Sequence, residues 1–124
     1  MAETQVPAYD RGVPARKPTP RPGQPVRGSK SGQPLMALFD LLGRRWAITV
    51  LWSLRHSPLN FRELQAAAEG IATSVLNTRL RELREAALVV TGDDGYELTE
   101  LGASLLAAGQ PLVAWADAWA EERP

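Results

Sequence analysis

The sequence predicts a mainly α-helical domain that carries one small β-hairpin, and two observations support this fold class. From Pro34 onward, apolar residues recur at helical spacing in four successive segments that are separated by glycine, proline and asparagine. Two short β-type runs, residues 88–91 and 96–98, then flank the turn sequence GDDG, a pattern typical of a hairpin. A last helical segment follows, so the predicted order is four helices, a hairpin and a helix.

The first two helices are expected to start the core. The apolar residues of the first follow an i, i+3, i+4, i+7 spacing and stop at a glycine, Gly43; they are Leu35, Leu38, Phe39 and Leu42. The second helix, predicted from about Arg44 to Arg55, is apolar on most sides and includes Ile48 and Trp52. A helix that is apolar all round is buried, so we expect this helix to be the most central one.

The third and fourth helices are predicted to form a helix-turn-helix. Asn60 is a good N-cap for the third helix, and Glu63, three residues on, completes a capping-box pattern. Gly70 is placed to end that helix as a left-handed C′ residue. A fourth helix from about Thr73 to Ala86 follows this tight turn. The hairpin directly after it has the position of a wing, so the architecture is that of a winged helix-turn-helix.

The fourth helix has one apolar and one polar face. The apolar face is made of Leu76, Leu80, Leu83 and Ala87, and the polar face of Ser74, Asn77, Thr78, Arg81, Glu82 and Glu85. Small polar side chains allow close approach to base edges, where Asn pairs with adenine and Arg with guanine. Most amphipathic helices carry a leucine stripe opposite a polar face, so the position of this helix before a wing is what favours DNA recognition.

The last helical segment is expected to be capped by Thr99 and to be kinked or split at Gly109 and Pro111. Trp115 and Trp119 lie i, i+4 on one face of it. They belong either to the core of the monomer or to a dimer interface, where tryptophan is enriched. Because a helix beyond the wing has little monomer surface left to cover, the interface is the favoured interpretation.

The N-terminal segment differs in composition from the rest of the chain. Residues 1–33 hold six of the ten prolines, and their six basic and two acidic residues give a net charge of +4. The remaining residues, predicted to form the domain from 34 to 124, carry eight basic and twelve acidic side chains, a net charge of −4. We expect the segment to be a disordered, cationic arm, serving either nucleic-acid contact or solubility.

Composition excludes several classes of function. The chain has no cysteine and one histidine, so disulfides, thiolate nucleophiles, cysteine-based zinc sites and multi-histidine metal sites within one chain are ruled out. No nucleophile–base pair and no glycine-rich phosphate loop is visible, so we expect neither an enzyme nor a cofactor. No apolar run approaches the roughly 18 residues that span a bilayer, and no signal sequence is visible. A cytoplasmic protein without a membrane partner is the expectation.

With these residues assigned, the chain resembles the HxlR-type family of winged helix-turn-helix regulators, which is related to the MarR group. The resemblance covers about Gln33 to Glu121. It rests on six blocks in the right order and spacing: PLMALFDLLGRRW, VLWSL, NFREL, GIATSVLNTRLRELREAALV, YELTELG and LVAWADAW.

The resemblance implies a homodimeric DNA-binding regulator that reads a palindrome-like operator in double-stranded DNA, and we expect it to act as a repressor of transcription. Its first and last helices would form the dimer, through Leu35, Leu38, Phe39, Leu112, Trp115 and Trp119. The residues that would face bases in the major groove are Thr73, Ser74, Asn77, Thr78 and Arg81. Arg62 and Arg79 would contact phosphates, which position the protein without specifying a sequence.

Three positions depart from the family pattern. Many members carry a cysteine before a proline at the start of the first helix, which serves some of them as a sensor, and this chain has Gln33 there. Ala72 replaces the expected hydroxyl cap of the fourth helix, so Thr73 is predicted to cap it instead. The wing is short and acidic, with Asp93 and Asp94 at its turn, and phosphate would repel it.

Two questions stay open from the sequence. A winged-helix protein-interaction module that no longer binds DNA specifically is the alternative function, favoured by the negative body and the acidic wing. The basic arm and the uncharged front of the fourth helix favour DNA. A small apolar effector near the dimer helices is compatible with the sequence, but no set of residues points to one.

Overall fold

The computed structural model describes residues 17–123, and it confirms the predicted mainly helical fold with one hairpin. The last predicted helix is split in two at Gly109, as Gly109 and Pro111 suggested. Within residues 17–123, no helix combines the length and the apolar character needed to cross a membrane. The elements are α1 (Pro34–Leu42), α2 (Ala47–Ser53), α3 (Phe61–Ala67), α4 (Thr73–Glu85), β1 (Val89–Gly92), β2 (Gly95–Leu98), α5 (Glu100–Ala108) and α6 (Gln110–Glu122).

The core lies between α2, α3 and α4. Its largest fully buried side chains are Val50, Leu51, Leu64, Leu76 and Leu83. The predicted apolar face of α4 is confirmed for its three leucines, whereas Ala87 lies beyond the helix end and is exposed. Ala87 has a left-handed backbone, with φ +65°, because the chain turns there from α4 into β1.

Helix α2 is shorter and less buried than the sequence predicted. It begins at Ala47 rather than Arg44, since Trp46 at its N-cap has a φ of +75° and interrupts the helical backbone. Ile48 and Trp52 are exposed, so only one face of α2 enters the core. The predicted central position of α2 is nevertheless confirmed, because α2 packs against α1, α3, α4 and α5.

The helix-turn-helix turn follows the predicted capping pattern closely. The Glu63 amide donates to Asn60 Oδ1 over 2.8 Å, and the Asn60 amide donates to Glu63 Oε1 over 2.9 Å. At the other end of α3, the Gly70 amide donates to the Gln65 carbonyl oxygen over 2.9 Å. Two successive residues are left-handed there, Glu69 (φ +59°) and then Gly70 (φ +79°), so glycine does not supply the first one.

The capping box gives a direct test of the helix-turn-helix. Replacing Asn60 with alanine should lower the free energy of unfolding by about 1 kcal/mol, because the Glu63 amide loses its acceptor. Urea unfolding followed by circular dichroism measures this change. Asn60→Asp is the matched control, since aspartate caps as well as asparagine does. An equal loss in both variants would contradict a capping role.

The wing is a two-residue hairpin that is tied to the rest of the domain. Gly92 pairs with Gly95, which leaves Asp93 and Asp94 as the turn. The backbones of Leu59 and Tyr96 exchange two hydrogen bonds, of 3.0 and 2.8 Å. A Cβ at Gly95, which has a φ of +123°, would lie 2.5 Å from the Leu59 carbonyl oxygen. Glycine is therefore required for this close approach.

The segment before α1 is more ordered than the sequence predicted. The backbones of Val26 and Ser29 exchange hydrogen bonds of 2.9 and 3.1 Å, and the Arg27 amide donates to the Asp40 carboxylate over 3.1 Å. Thr19 is buried. Over residues 17–33 these contacts overturn the expected disorder, since proline and glycine there form specific turns. The part of that prediction concerning residues 1–16 lies outside the described residues.

Candidate nucleic-acid interface

The side chains predicted to face bases lie along one side of α4. Thr73, Ser74 and Asn77 are exposed, and Thr78 and Arg81 are half-buried. The opposite side of α4 is anchored in the core by its leucines. The helix therefore presents a continuous polar surface whose position is set by the packing behind it.

The start of α4 differs from the sequence prediction. Ala72 is the N-cap and provides no side-chain hydrogen bond, and Thr73 is the first helical residue. The Thr73 hydroxyl accepts a hydrogen bond of 3.2 Å from Gln65 Nε2, which also donates to the Ile71 carbonyl oxygen over 2.9 Å. Thr73 thus joins α3 to α4 instead of capping α4. Within residues 17–123, no side chain accepts a hydrogen bond from the first amides of α4, an arrangement that favours a phosphate.

Two side chains on the polar side of α4 are already engaged within the protein. The Thr78 hydroxyl donates to the Ser74 carbonyl oxygen over 3.0 Å, so its hydrogen is used inside the helix. Arg81 Nη1 lies 3.4 and 3.5 Å from the two carboxylate oxygens of Glu85. Arg81 lies on the same side of the helix as Asn77, one turn further along.

Glu85 is held in turn by the segment before α1. The Thr19 hydroxyl donates to Glu85 Oε1. This hydrogen bond holds the pKa of the Glu85 carboxyl below its ordinary value, and the charges of Arg81 and Arg21 act in the same direction. Glu85 is therefore an ionised carboxylate at neutral pH, placed between Thr19 and Arg81.

The two predicted phosphate contacts differ in exposure. Arg62 is exposed on α3, as a phosphate contact requires. Arg79 has a side chain only 16% exposed, and its Nε lies 3.3 Å from Glu82 Oε1, without the alignment of a hydrogen bond. Its guanidinium balances a buried carboxylate, so the geometry argues against a phosphate contact.

Glu82 itself was placed on the polar face by the sequence, and this was wrong. Its side chain is 3% exposed and pairs with Arg44 as well as Arg79. The partner Arg44 comes from the connection between α1 and α2, 38 residues earlier. Helical periodicity does not reveal a partner on another element.

A further basic residue was missed by the sequence reasoning. Arg84 is exposed in the last turn of α4 and, with Arg81 and Glu85, lines an open groove of about 490 Å³ between α4 and β1. The sequence feature that could have indicated Arg84 is its place as a basic residue at the end of a predicted helix, next to the hairpin. Positive charge thus lies at the base of the wing, whereas Asp93 and Asp94 are exposed at its tip.

The predicted dimer residues lie on exposed apolar surfaces of α1 and α6. Trp115 and Trp119 are 62% and 51% exposed and stack with ring centroids 6.0 Å apart. The sequence left open whether these two side chains belong to the monomer core, and their exposure shows that they lie outside it. The others are Leu35, Phe39 and Leu112, which are exposed, and Leu38, which is half-buried.

These elements define the class of protein: a helix-turn-helix whose second helix presents a polar side, followed by a wing, is a DNA-binding module. The sequence model of the HxlR-like helix-turn-helix family matches residues 41–124. The chain belongs to this family, as its resemblance suggested.

The relatives agree with this assignment. The HTH-type transcriptional regulator YodB of Bacillus subtilis is 34% identical over 90 residues, which cover 67% of this chain and 80% of YodB. An HTH-type regulator of Methanocaldococcus jannaschii is 26% identical over 92 residues, covering 71% of this chain and 87% of that protein. Quinone-bound YodB superposes with a TM-score of 0.64 at 35% identity, over 67% of this chain and 94% of that chain. The protein is a DNA-binding transcription regulator.

Proposed function

We propose that the protein is a homodimeric repressor that reads a palindrome-like operator by placing α4 of each copy in the major groove. The observation that supports this most directly is the exposed polar side of α4 between Thr73 and Arg81, on a helix anchored by buried leucines. Two such helices related by a two-fold axis would read half-sites about 34 Å apart. Binding at a promoter would exclude polymerase.

The residues of α4 divide into roles by their chemistry. Asn77 is exposed and can pair bidentately with adenine, and Arg81 can do so with guanine. Thr73, Ser74 and Thr78 offer small polar contacts around them. Arg62 on α3 and Arg84 at the end of α4 would contact phosphates and set the position of the helix on the duplex. Arg79, held by Glu82, is left out of this set.

Base reading by α4 can be tested by selecting bound sequences from random duplex DNA. Arg81→Ala and Asn77→Ala should each lose about 1–3 kcal/mol at one base position, and the preference at that position should relax. Arg84→Ala is the matched control, because loss of a phosphate contact weakens binding to all sequences alike. A uniform loss for the Arg81 and Asn77 variants would contradict base reading by these side chains.

Dimerisation is supported by the apolar side chains exposed on α1 and α6. Soluble monomers rarely expose a contiguous apolar patch of more than a few hundred Å², and α6 exposes two stacked tryptophans together with Leu112. A second copy of the chain is the partner that a palindrome-like operator would require.

The interface is tested by sedimentation of Trp115→Ala and Trp119→Ala. Each variant should shift the equilibrium toward monomer by at least about tenfold, because interface tryptophans are often hot spots worth 2 kcal/mol or more. Leu101→Ala is the control, as Leu101 is also exposed but lies on α5. Unchanged dimers in both tryptophan variants would place the interface elsewhere.

A protein-interaction module remains the second candidate, favoured by the acidic turn at Asp93 and Asp94. If the selection enriches no motif with the full chain, this candidate replaces the repressor.

A small-molecule effector is suggested by one solved relative, which is quinone-bound YodB. This chain has no cysteine, so an effector would have to bind without forming a thiol adduct. We propose that the protein is cytoplasmic and associated with the nucleoid.

A further inference from the structure

Three side chains connect the N-terminal segment to the DNA-reading side of α4. Thr19 donates to Glu85 Oε1, and both oxygens of that carboxylate face Arg81 Nη1 at 3.4 and 3.5 Å. Arg81 is the longest of the side chains proposed to read bases. Its orientation in the free protein therefore depends on a residue 62 positions earlier in the chain.

The segment that carries Thr19 is itself held against α4. Thr19 is 7% exposed, and the carbonyl oxygen of Pro18 accepts a hydrogen bond of 2.9 Å from Arg44 Nη2. Arg44 also pairs with Glu82 of α4. The segment is therefore attached to two carboxylates of the same helix, to Glu82 through Arg44 and to Glu85 through Thr19.

We propose that Thr19 is a positioning residue for DNA recognition, which fixes the Glu85 carboxylate and thereby orients the guanidinium of Arg81 toward its base. The inference rests on the proposed base-reading role of Arg81. An unrestrained arginine loses much rotamer freedom when it binds, and a guanidinium that is already oriented loses less. The carboxylate engages one nitrogen of Arg81, and the opposite edge stays available for the bidentate pair with guanine.

The distances fit this assignment better than a purely structural role for Glu85. A contact of 3.4 Å at Nη1 is a loose ion pair, so it can direct the arginine without holding it away from DNA. The hydrogen bond from Thr19 is the main cause of the lowered pKa of Glu85. Glu85 is thus fixed on the side of the N-terminal segment and directs Arg81 on the other.

The experiment compares Thr19→Val, which removes the hydroxyl at constant shape, with Thr19→Ser, which keeps it. Binding of the full chain is measured for the selected duplex and for the same duplex altered at the one base pair that Arg81→Ala identifies. Thr19→Val should lower the discrimination between the two duplexes by about three- to tenfold, the factor expected when one long side chain is no longer ordered. Thr19→Ser should discriminate as the original chain does.

Two further variants separate positioning from folding. Thr19→Val added to Arg81→Ala should change the discrimination no further, because both act on the same contact. Glu85→Gln should reproduce the loss seen in Thr19→Val with the N-terminal segment unchanged. An equal weakening on both duplexes, or unchanged discrimination in Thr19→Val and Glu85→Gln, would overturn the inference while leaving base reading by Arg81 in place. If Arg81→Ala changes the preference at no base pair, the proposed base-reading role of Arg81 is contradicted, and the inference that rests on it falls with it.

Discussion

Replacing Leu76 with alanine is expected to lower the free energy of unfolding by about 2–5 kcal/mol. Leu76 is completely buried in the first half of α4, beneath the polar side chains proposed to read DNA. The substitution removes apolar contacts and leaves a cavity that the surrounding helices fill only in part. Since a domain of this size is stable by about 5–15 kcal/mol, this is a large fraction of the total.

Urea unfolding followed by circular dichroism measures the loss, and Leu101→Ala serves as the control. Leu101 is the same residue type in a helix but is exposed, so its removal should change the stability by no more than about 0.5 kcal/mol. Similar values for the two variants would mean that Leu76 does not anchor α4.

Replacing Glu82 with alanine should have an effect of similar size for an electrostatic reason. The side chains of its partners Arg44 and Arg79 are only 13% and 16% exposed. Removing the carboxylate leaves two mostly buried guanidinium groups without a paired carboxylate in the described part of the chain. Breaking such a buried pair costs about 3–5 kcal/mol, and the remaining solvent contact of both arginines favours the lower end of that range.

The control for Glu82 is Glu69→Ala, which removes an exposed carboxylate from the helix-turn-helix turn. Adding Arg44→Met to Glu82→Ala should recover part of the lost stability, because one of the unpaired cations is then absent. A Glu82→Ala variant as stable as Glu69→Ala would contradict the role of this cluster. Urea unfolding of each variant, at low and at high salt, measures these changes in the free energy of unfolding.

The elements of the fold were predictable where local chemistry decides them. The capping box of Asn60, the cap at Thr99 and the two-residue turn at Asp93 and Asp94 each depend on a few adjacent residues, and all three are present. Where the sequence failed, the deciding interaction comes from another element. The buried position of Glu82 depends on Arg44, and the order of residues 17–33 depends on surfaces of α1 and α4.

The candidate site shows the same division. The polar side of α4 follows from helical periodicity for Ser74, Asn77 and Glu85, which are exposed as the sequence indicated. Glu82 is buried instead, and the exposed Arg84 was not singled out. The engagement of Arg79 by Glu82 and of Arg81 by Glu85 could not be read from periodicity alone, because spacing of three or four residues permits an ion pair without requiring one. Ile48 and Trp52 were assigned to the core because a composition-based argument ignores which face of α2 meets α4.

The hydrogen bonds between Leu59 and Tyr96 have a consequence for the motions open to the protein. They join the wing to the connection between α2 and α3, so the hairpin cannot swing without breaking a bridge that lies beside the core. Hydrogen exchange at these two amides should report opening of the whole helix-turn-helix rather than fraying of a loop. The domain then moves as one rigid body, and in the proposed dimer a regulatory signal would act by changing the separation of the two copies.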